Sequence, residues 1–384
     1  MTARASTGRV AAIDVLRGLV VVLMAIDHVR VFSAVPAGGP SPGVFFTRWI
    51  THFVAPVFVF LAGTAAYLYG RKVGDKSALA KFLVTRGLLL VLLELTVIRI
   101  SWTFNLDYGT YMLAGVIWVI GWSMVALAAL AFLPPKAVAA FGLVMIFGHN
   151  VIPWVETNNW LLKILYYGGD IKLGANGPSL VILYTLIPWV GVMAAGYAFG
   201  TLYEMDPARR RRLLFKLGGS AVALFVVLRV VGVYGDPSTW NPNPVDKWST
   251  LRTFLSTAKY PASLQFLLMT LGPALLLLPT LERARNRVTD VLEVFGRVPM
   301  FYYLLHIPLI HVLAIIVSLS RTGSVTPWLF GNHPMWPPEP PAGYRWSLAL
   351  LYAVTAVAEV LLYFACRWYG RAKATSPRPW MKYI

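Results

Sequence analysis

A single cysteine in 384 residues leaves no internal disulfide and no thiolate metal cluster. Cys366, near the inner end of the last apolar run, reads as a small apolar side chain. Charge is scarce too: Asp, Glu, Lys and Arg make up 13% of the chain against 58% hydrophobic residues, which excludes an ordinary soluble domain. Carboxylates are the scarcest, 16 against 34 Lys and Arg, so the formal net charge is +18. No internal repeat or low-complexity stretch breaks the chain, and residues 1–384 read as one membrane domain without a soluble appendage.

What is present is apolar length. Runs close to the roughly 20 residues that cross hydrocarbon recur about ten times, near 9–34, 44–70, 79–102, 110–133, 136–155, 178–203, 211–233, 261–281, 298–319 and 345–369. The expected fold is an all-α integral membrane protein, a polytopic bundle of about ten transmembrane helices. A basic chain can also signal nucleic acid, and the placement of Lys and Arg decides between the two. With the N-terminus inside, Arg4, Arg9, the basic residues of 71–81, Lys136, Arg209 to Arg212 with Lys216, those of 283–297 and those from Arg367 onward share one side. The opposite loops hold Lys163, Lys172, Lys247, Arg252, Lys259, Arg321 and Arg345. This is the positive-inside pattern of a plasma (inner) membrane protein with both termini cytoplasmic, and the arginine run is an anchor rather than a nucleic-acid patch. The first run follows a basic N-terminus as a secretory signal does, but Asp14, Arg17, Asp27, His28 and Arg30 interrupt it, so it reads as a permanent helix.

Ionisable groups inside spans are expensive and mark cavities, pairings or reactions. Asp14, Arg17 and Arg86 fall in the inner half, whereas His28, Arg48, His52, Glu94, Arg99, His149, Arg229 and His311 fall in the outer half. That distribution predicts a polar cavity opening outward over a smaller charged group. The longer outer loops, 156–177, 234–260 and 320–344, are rich in Trp, Asn, Gly and Pro and suit substrate recognition on that face. At 100° per residue Arg17 and His28 differ by roughly 20° and by roughly 16 Å in height, so they share a face at different depths. Asp14 stands at the i,i+3 spacing of an ion pair with Arg17, whose role is either structural or part of a site. A histidine at such depth reads as a general base or as a hydrogen-bonding link between helices.

The string Ile13-Asp14-Val15-Leu16-Arg17-Gly18, with His28 ten intervening residues after Arg17, resembles the opening motif of the transmembrane acyltransferase superfamily. Two further stretches, His52-Phe53-Val54-Ala55-Pro56-Val57-Phe58-Val59-Phe60-Leu61-Ala62-Gly63-Thr64 and Gly296-Arg297-Val298-Pro299-Met300-Phe301-Tyr302-Tyr303-Leu304-Leu305-His306, resemble the branch related to heparan-alpha-glucosaminide N-acetyltransferase. The resemblance implies an acyltransferase moving an acyl group, usually acetyl, from cytoplasmic acetyl-CoA to a hydroxyl or amine of an extracytoplasmic glycan. It implies His28 as the catalytic base and basic residues at the start of the third span as donor contacts, for which Lys81 and Arg86 stand beside Arg17. Arg48, His52, His306, Glu94 and Arg99 are substrate-binding or oxyanion candidates. No metal is expected. The runner-up is a secondary transporter of a polar or anionic solute, which would also carry charges toward a bundle interior. No matching pair of interrupted helices supports it, and a purely structural subunit leaves the outer His and Arg groups without a role.

Overall fold

The computed structural model describes residues 10–39, 41–109, 111–174, 177–243 and 246–384. Arg4 and Arg9 of the predicted inner surface lie outside them. In chain order the helices are α1 (Ala11–Phe32), α2 (Pro42–Trp49), α3 (Val54–Val73), α4 (Lys76–Leu93), α5 (Arg99–Thr103), α6 (Val116–Leu130), α7 (Pro135–Gly148), α8 (Trp160–Leu162), α9 (Leu186–Phe199), α10 (Pro207–Val231), α11 (Lys247–Leu255), α12 (Leu264–Leu281), α13 (Arg287–Arg297), α14 (Pro299–Thr322), α15 (Trp328–Gly331) and α16 (Leu348–Thr375). A 3₁₀ turn at Ile50–Phe53 joins α2 to α3, and a wide π turn at Glu94–Ile98 joins α4 to α5.

The protein is a nearly all-α membrane protein. Among the described residues, six helical stretches are long and apolar enough to cross a bilayer: Pro42–Val73, Leu186–Glu204, α10, α12, α14 and α16. Each overlaps a predicted span, several running a few residues past its bounds. The other four predicted spans also hold helices, of a different kind. α1 carries Asp14, Arg17, Asp27 and Arg30, and the α4–α5 rod carries Lys76, Lys81, Arg86, Glu94 and Arg99, while α6 and α7 have 15 and 14 residues.

Two spans are shorter than expected because their first residues are strand. β1 (Met112–Ala114) pairs in parallel with β3 (Ser179–Ile182), Met112 opposite Leu180, and β2 (Gly169–Lys172) runs antiparallel on the far side of β3. Short apolar runs do not distinguish strand from helix. Extended backbone at Gly115 and Thr185 ends the strand segments before α6 and α9 begin. The basic stretch 283–297, expected as a loop, contains α13. Asn286 and Thr289 close its N-terminus with a capping box, and buried Phe295 and Gly296 with partly buried Leu292 turn toward the bundle.

In lipid, helices associate through close backbone approach at small residues. A Cβ on Gly18 would lie 1.8 Å from the Leu292 carbonyl oxygen of α13, and one on Gly296 would lie 1.7 Å from that of Asp14 on α1. Gly63 and Gly196 bring α3 and α9 together in the same way, each 2.0 Å from a partner carbonyl, and Gly87 and Gly121 do so for α4 and α6. α1 packs on α3, α12, α13, α14 and α16. A helix with four charged residues can therefore sit centrally, because most of its faces meet protein rather than lipid.

Candidate active site

α1 carries two polar levels. At the lower, Arg17 Nη1 donates to Asp14 Oδ1 at 3.0 Å and to the Gly296 carbonyl at 3.1 Å, so the i,i+3 pair is made and also ties α1 to α13. At the upper, His28 Nδ1 lies 2.6 Å from His306 Nε2, and His306 Nδ1 lies 2.6 Å from the Tyr303 carbonyl oxygen. A carbonyl only accepts, so His306 donates from Nδ1. With both rings neutral, His306 Nε2 is then an acceptor and His28 donates to it from Nδ1, which leaves the lone pair of His28 on Nε2. Trp102 of α5 meets the His28 ring edge-on at 5.0 Å, and His306 is fully buried. The pair thus fixes both the orientation and the tautomer of His28.

A cavity of about 330 Å³ lies below the histidines. Its middle is apolar, with Phe58, Ala62, Ala66, Ile120 and Met124, and its lower lining is basic, with Arg17, Arg86, Arg297, Lys373 and Lys382. Tyr303 connects the levels: it lines the cavity while its carbonyl accepts the hydrogen bond from His306 Nδ1–H. His28 is not itself a lining residue. Arg86 adds charge, its Nε buried without a hydrogen-bond partner among the described residues. Lys81 is exposed and contributes nothing to the lining.

The cavity with the ionisable lining is therefore at the basic end of the bundle, where the charge distribution pointed to an outward-opening one. The outer charges are occupied locally. Asp27 Oδ1 takes Arg30 Nε at 2.9 Å, and its Oδ2 takes Arg48 Nη1 at 3.1 Å. Glu94 Oε2 accepts from the backbone N–H groups of Ile117 and Trp118 at 2.9 and 3.2 Å, capping α6. Arg99 donates to Thr103, to Asn105 and to the carbonyls of Tyr111 and Asp107, holding the loop before β1. Arg229 holds the carbonyls of Ser238, Thr253, Phe254 and Ser256. His52 stands beside Arg48 near Phe266, its Nδ1 buried without a partner among the described residues. His149 and His311 lie among aromatic rings away from the pair.

The family described as heparan-alpha-glucosaminide N-acetyltransferase, catalytic, matches residues 9–233, more than half of the chain. The chain belongs to that family. A search of curated proteins finds no match. Membership in the heparan-alpha-glucosaminide N-acetyltransferase catalytic family makes it a membrane acetyltransferase. The matched segment runs from the start of α1 to the end of α10 and contains Arg17, His28, Arg48, His52, Lys81, Arg86, Glu94 and Arg99. His306, Tyr303, Arg297, Lys373 and Lys382 lie beyond it, and the fold brings these to the same cavity and histidine pair. Arg297 and Tyr303 belong to the stretch 296–306 that carries the resemblance, though neither stands out there as a site residue, whereas Lys373 and Lys382 read only as part of the inner charge excess.

Proposed function

We propose that the protein transfers an acetyl group from cytoplasmic acetyl-CoA to a hydroxyl or amine of an extracytoplasmic glycan-type acceptor, with His28 as general base. The observation that carries this is the His28–His306–Tyr303 carbonyl chain, which points an unprotonated His28 Nε2 away from its support. The cavity suits the donor. An apolar passage under a basic end matches a thioester on a long arm with an anionic head, and the roughly 16 Å rise from Arg17 to His28 is of the length such an arm must cover.

In this reading His28 Nε2 takes the proton of the acceptor O–H or N–H as the acceptor forms its bond to the acetyl carbon and the carbon–sulfur bond breaks. His28 then returns that proton to the departing sulfur. His306 does not touch the reacting atoms; it orients His28 and shares the positive charge that His28 carries meanwhile. Arg17 and Arg86 hold the donor side, and Arg48 and His52 face the acceptor side.

The test is turnover of radiolabelled acetyl-CoA with a panel of glycans by purified wild type and His28→Ala. Transfer is expected in the first and absent in a monodisperse, membrane-inserted His28→Ala. A wild-type rate in that variant removes His28 from catalysis. Solute uptake by wild-type vesicles with no acetyl transfer favours a transporter instead.

A further inference from the structure

Three of the five basic residues at the cavity's basic end, Arg297, Lys373 and Lys382, come from a part of the chain outside the matched family segment. After α16 the chain makes a 3₁₀ turn at Pro379–Lys382, with Met381 buried beneath it. Lys373 Nζ, in the last turn of α16, donates to the Ile384 main-chain oxygen at 2.6 Å, which draws the strap 379–384 back over the cavity. Lys373, Lys382 and Ile384 all line it. Beside them Tyr383 lies nearly parallel to Phe82, ring centroids 5.8 Å apart, and Phe82 is 4.4 Å from Tyr69.

Three chemical features therefore meet at one rim. Lysine ammonium groups are phosphate ligands. A short run of aromatic faces is a platform on which a nucleobase stacks, whatever its sequence context. Beneath them the wall turns apolar, so a multiply charged head cannot go deeper and an alkyl arm can. Arg86, buried further in with its Nε unpartnered among the described residues, keeps the passage electropositive.

We propose that this strap and the end of α16 form the recognition mouth for the adenosine-phosphate end of the donor. Lys373 and Lys382 hold phosphate, and the Tyr69 and Phe82 rings, which line the cavity, receive the adenine, with Tyr383 packed against Phe82 and under the Lys382 ammonium. The inference rests on the coenzyme reading above and adds to it a binding element from the C-terminal segment.

Calorimetric titration of the full chain in micelles tests it without requiring turnover. The probes are CoA, dephospho-CoA, which lacks one phosphate, and pantetheine, which lacks the nucleotide. Wild type should bind CoA about tenfold or more tightly than dephospho-CoA, the factor one charge-assisted hydrogen bond represents, and dephospho-CoA more tightly than pantetheine. In Lys373→Ala/Lys382→Ala the CoA to dephospho-CoA ratio should fall to within about twofold. Lys382→Ala alone leaves the Lys373 tether intact and should lower the same ratio, so loss of folding in the double variant does not decide the matter. A wild type that does not discriminate between the first two probes, or variants that keep its ratio, overturns the mouth. Acetyl transfer without discrimination removes the mouth and leaves the reaction standing. Discrimination without acetyl transfer does the reverse.

Discussion

A histidine supported by a second histidine differs from one supported by a carboxylate. A neutral partner supplies the tautomer lock without a fixed negative charge, so His306 can do its work inside a bundle where an unpaired carboxylate would be costly. Removing it should slow chemistry more than binding. His306→Ala is expected to lower kcat by about 10²-fold or more, the usual worth of a well-placed base, with the KM for acetyl-CoA within about twofold. His306→Gln keeps an acceptor toward His28 and should lose less. Steady-state kinetics on monodisperse protein check this, and equal losses of kcat and donor affinity in the two variants would assign His306 to packing. The sequence was informative here up to a limit. The spacing of Arg17 and His28 on α1 places them on one face, and the helix period suffices for that. Their partners lie far along the chain, His306 at a separation of 278 residues, and the Tyr303 carbonyl is backbone, which no side-chain pattern can reveal. Glu94 and Arg99 stand out in the sequence because buried charge is rare; the contacts they make, Glu94 capping α6 and Arg99 holding the loop before β1, are to backbone groups equally invisible in sequence.

Among the elements, the contact between α1 and α13 matters most for the donor side. Arg17 reaches the Gly296 carbonyl only because Gly18 and Gly296 let the two backbones touch. Gly296→Ala places a methyl 1.7 Å from the Asp14 carbonyl oxygen, and the overpacking should cost about 1–3 kcal/mol. The helices would part, and Arg17 would move with them. A lowered Tm together with weaker CoA binding is the expected outcome; Gly219→Ala, where nothing lies within 4 Å, should leave both intact. Unchanged Tm and affinity in Gly296→Ala would show that the contact has slack. At this scale hydropathy was a good guide to long helices and a poor one to short pieces. The mainly apolar residues 112–114 and 179–182 fall within predicted spans although they pair as strands. The α13 stretch was hidden because four arginines in 283–297 dominate its composition, although Leu292, Phe295 and Gly296 recur at helical spacing.

For the whole molecule, everything about donor and acceptor depends on which face is which. Single cysteines in a Cys366→Ser background provide the measurement, since the natural thiol is buried. Cysteine at Ser238 or Ser324, both exposed and in loops that the charge pattern assigns to the outside, should react with an impermeant thiol reagent on intact cells. Cysteine at Ala78 or Ala284 should react only after permeabilisation, as these lie beside the basic segments whose charge sets orientation. Labelling of the second pair from outside would turn the mechanism upside down, with the strap-covered mouth facing the wrong compartment for CoA.

The glycine contacts bear on time as well as on strength. Helices that touch backbone to backbone cannot slide past one another without first separating, and motions of that kind belong to the microsecond-to-millisecond range. The strap 379–384 has no such backbone contact: one turn, one lysine tether, a buried methionine and the ring contacts of Trp380 with Tyr369 and of Tyr383 with Phe82 hold it. Segments of this kind move in nanoseconds to microseconds. On the coenzyme reading proposed above, exchange of the donor would then ask for movement of the strap alone, while the bundle stands still.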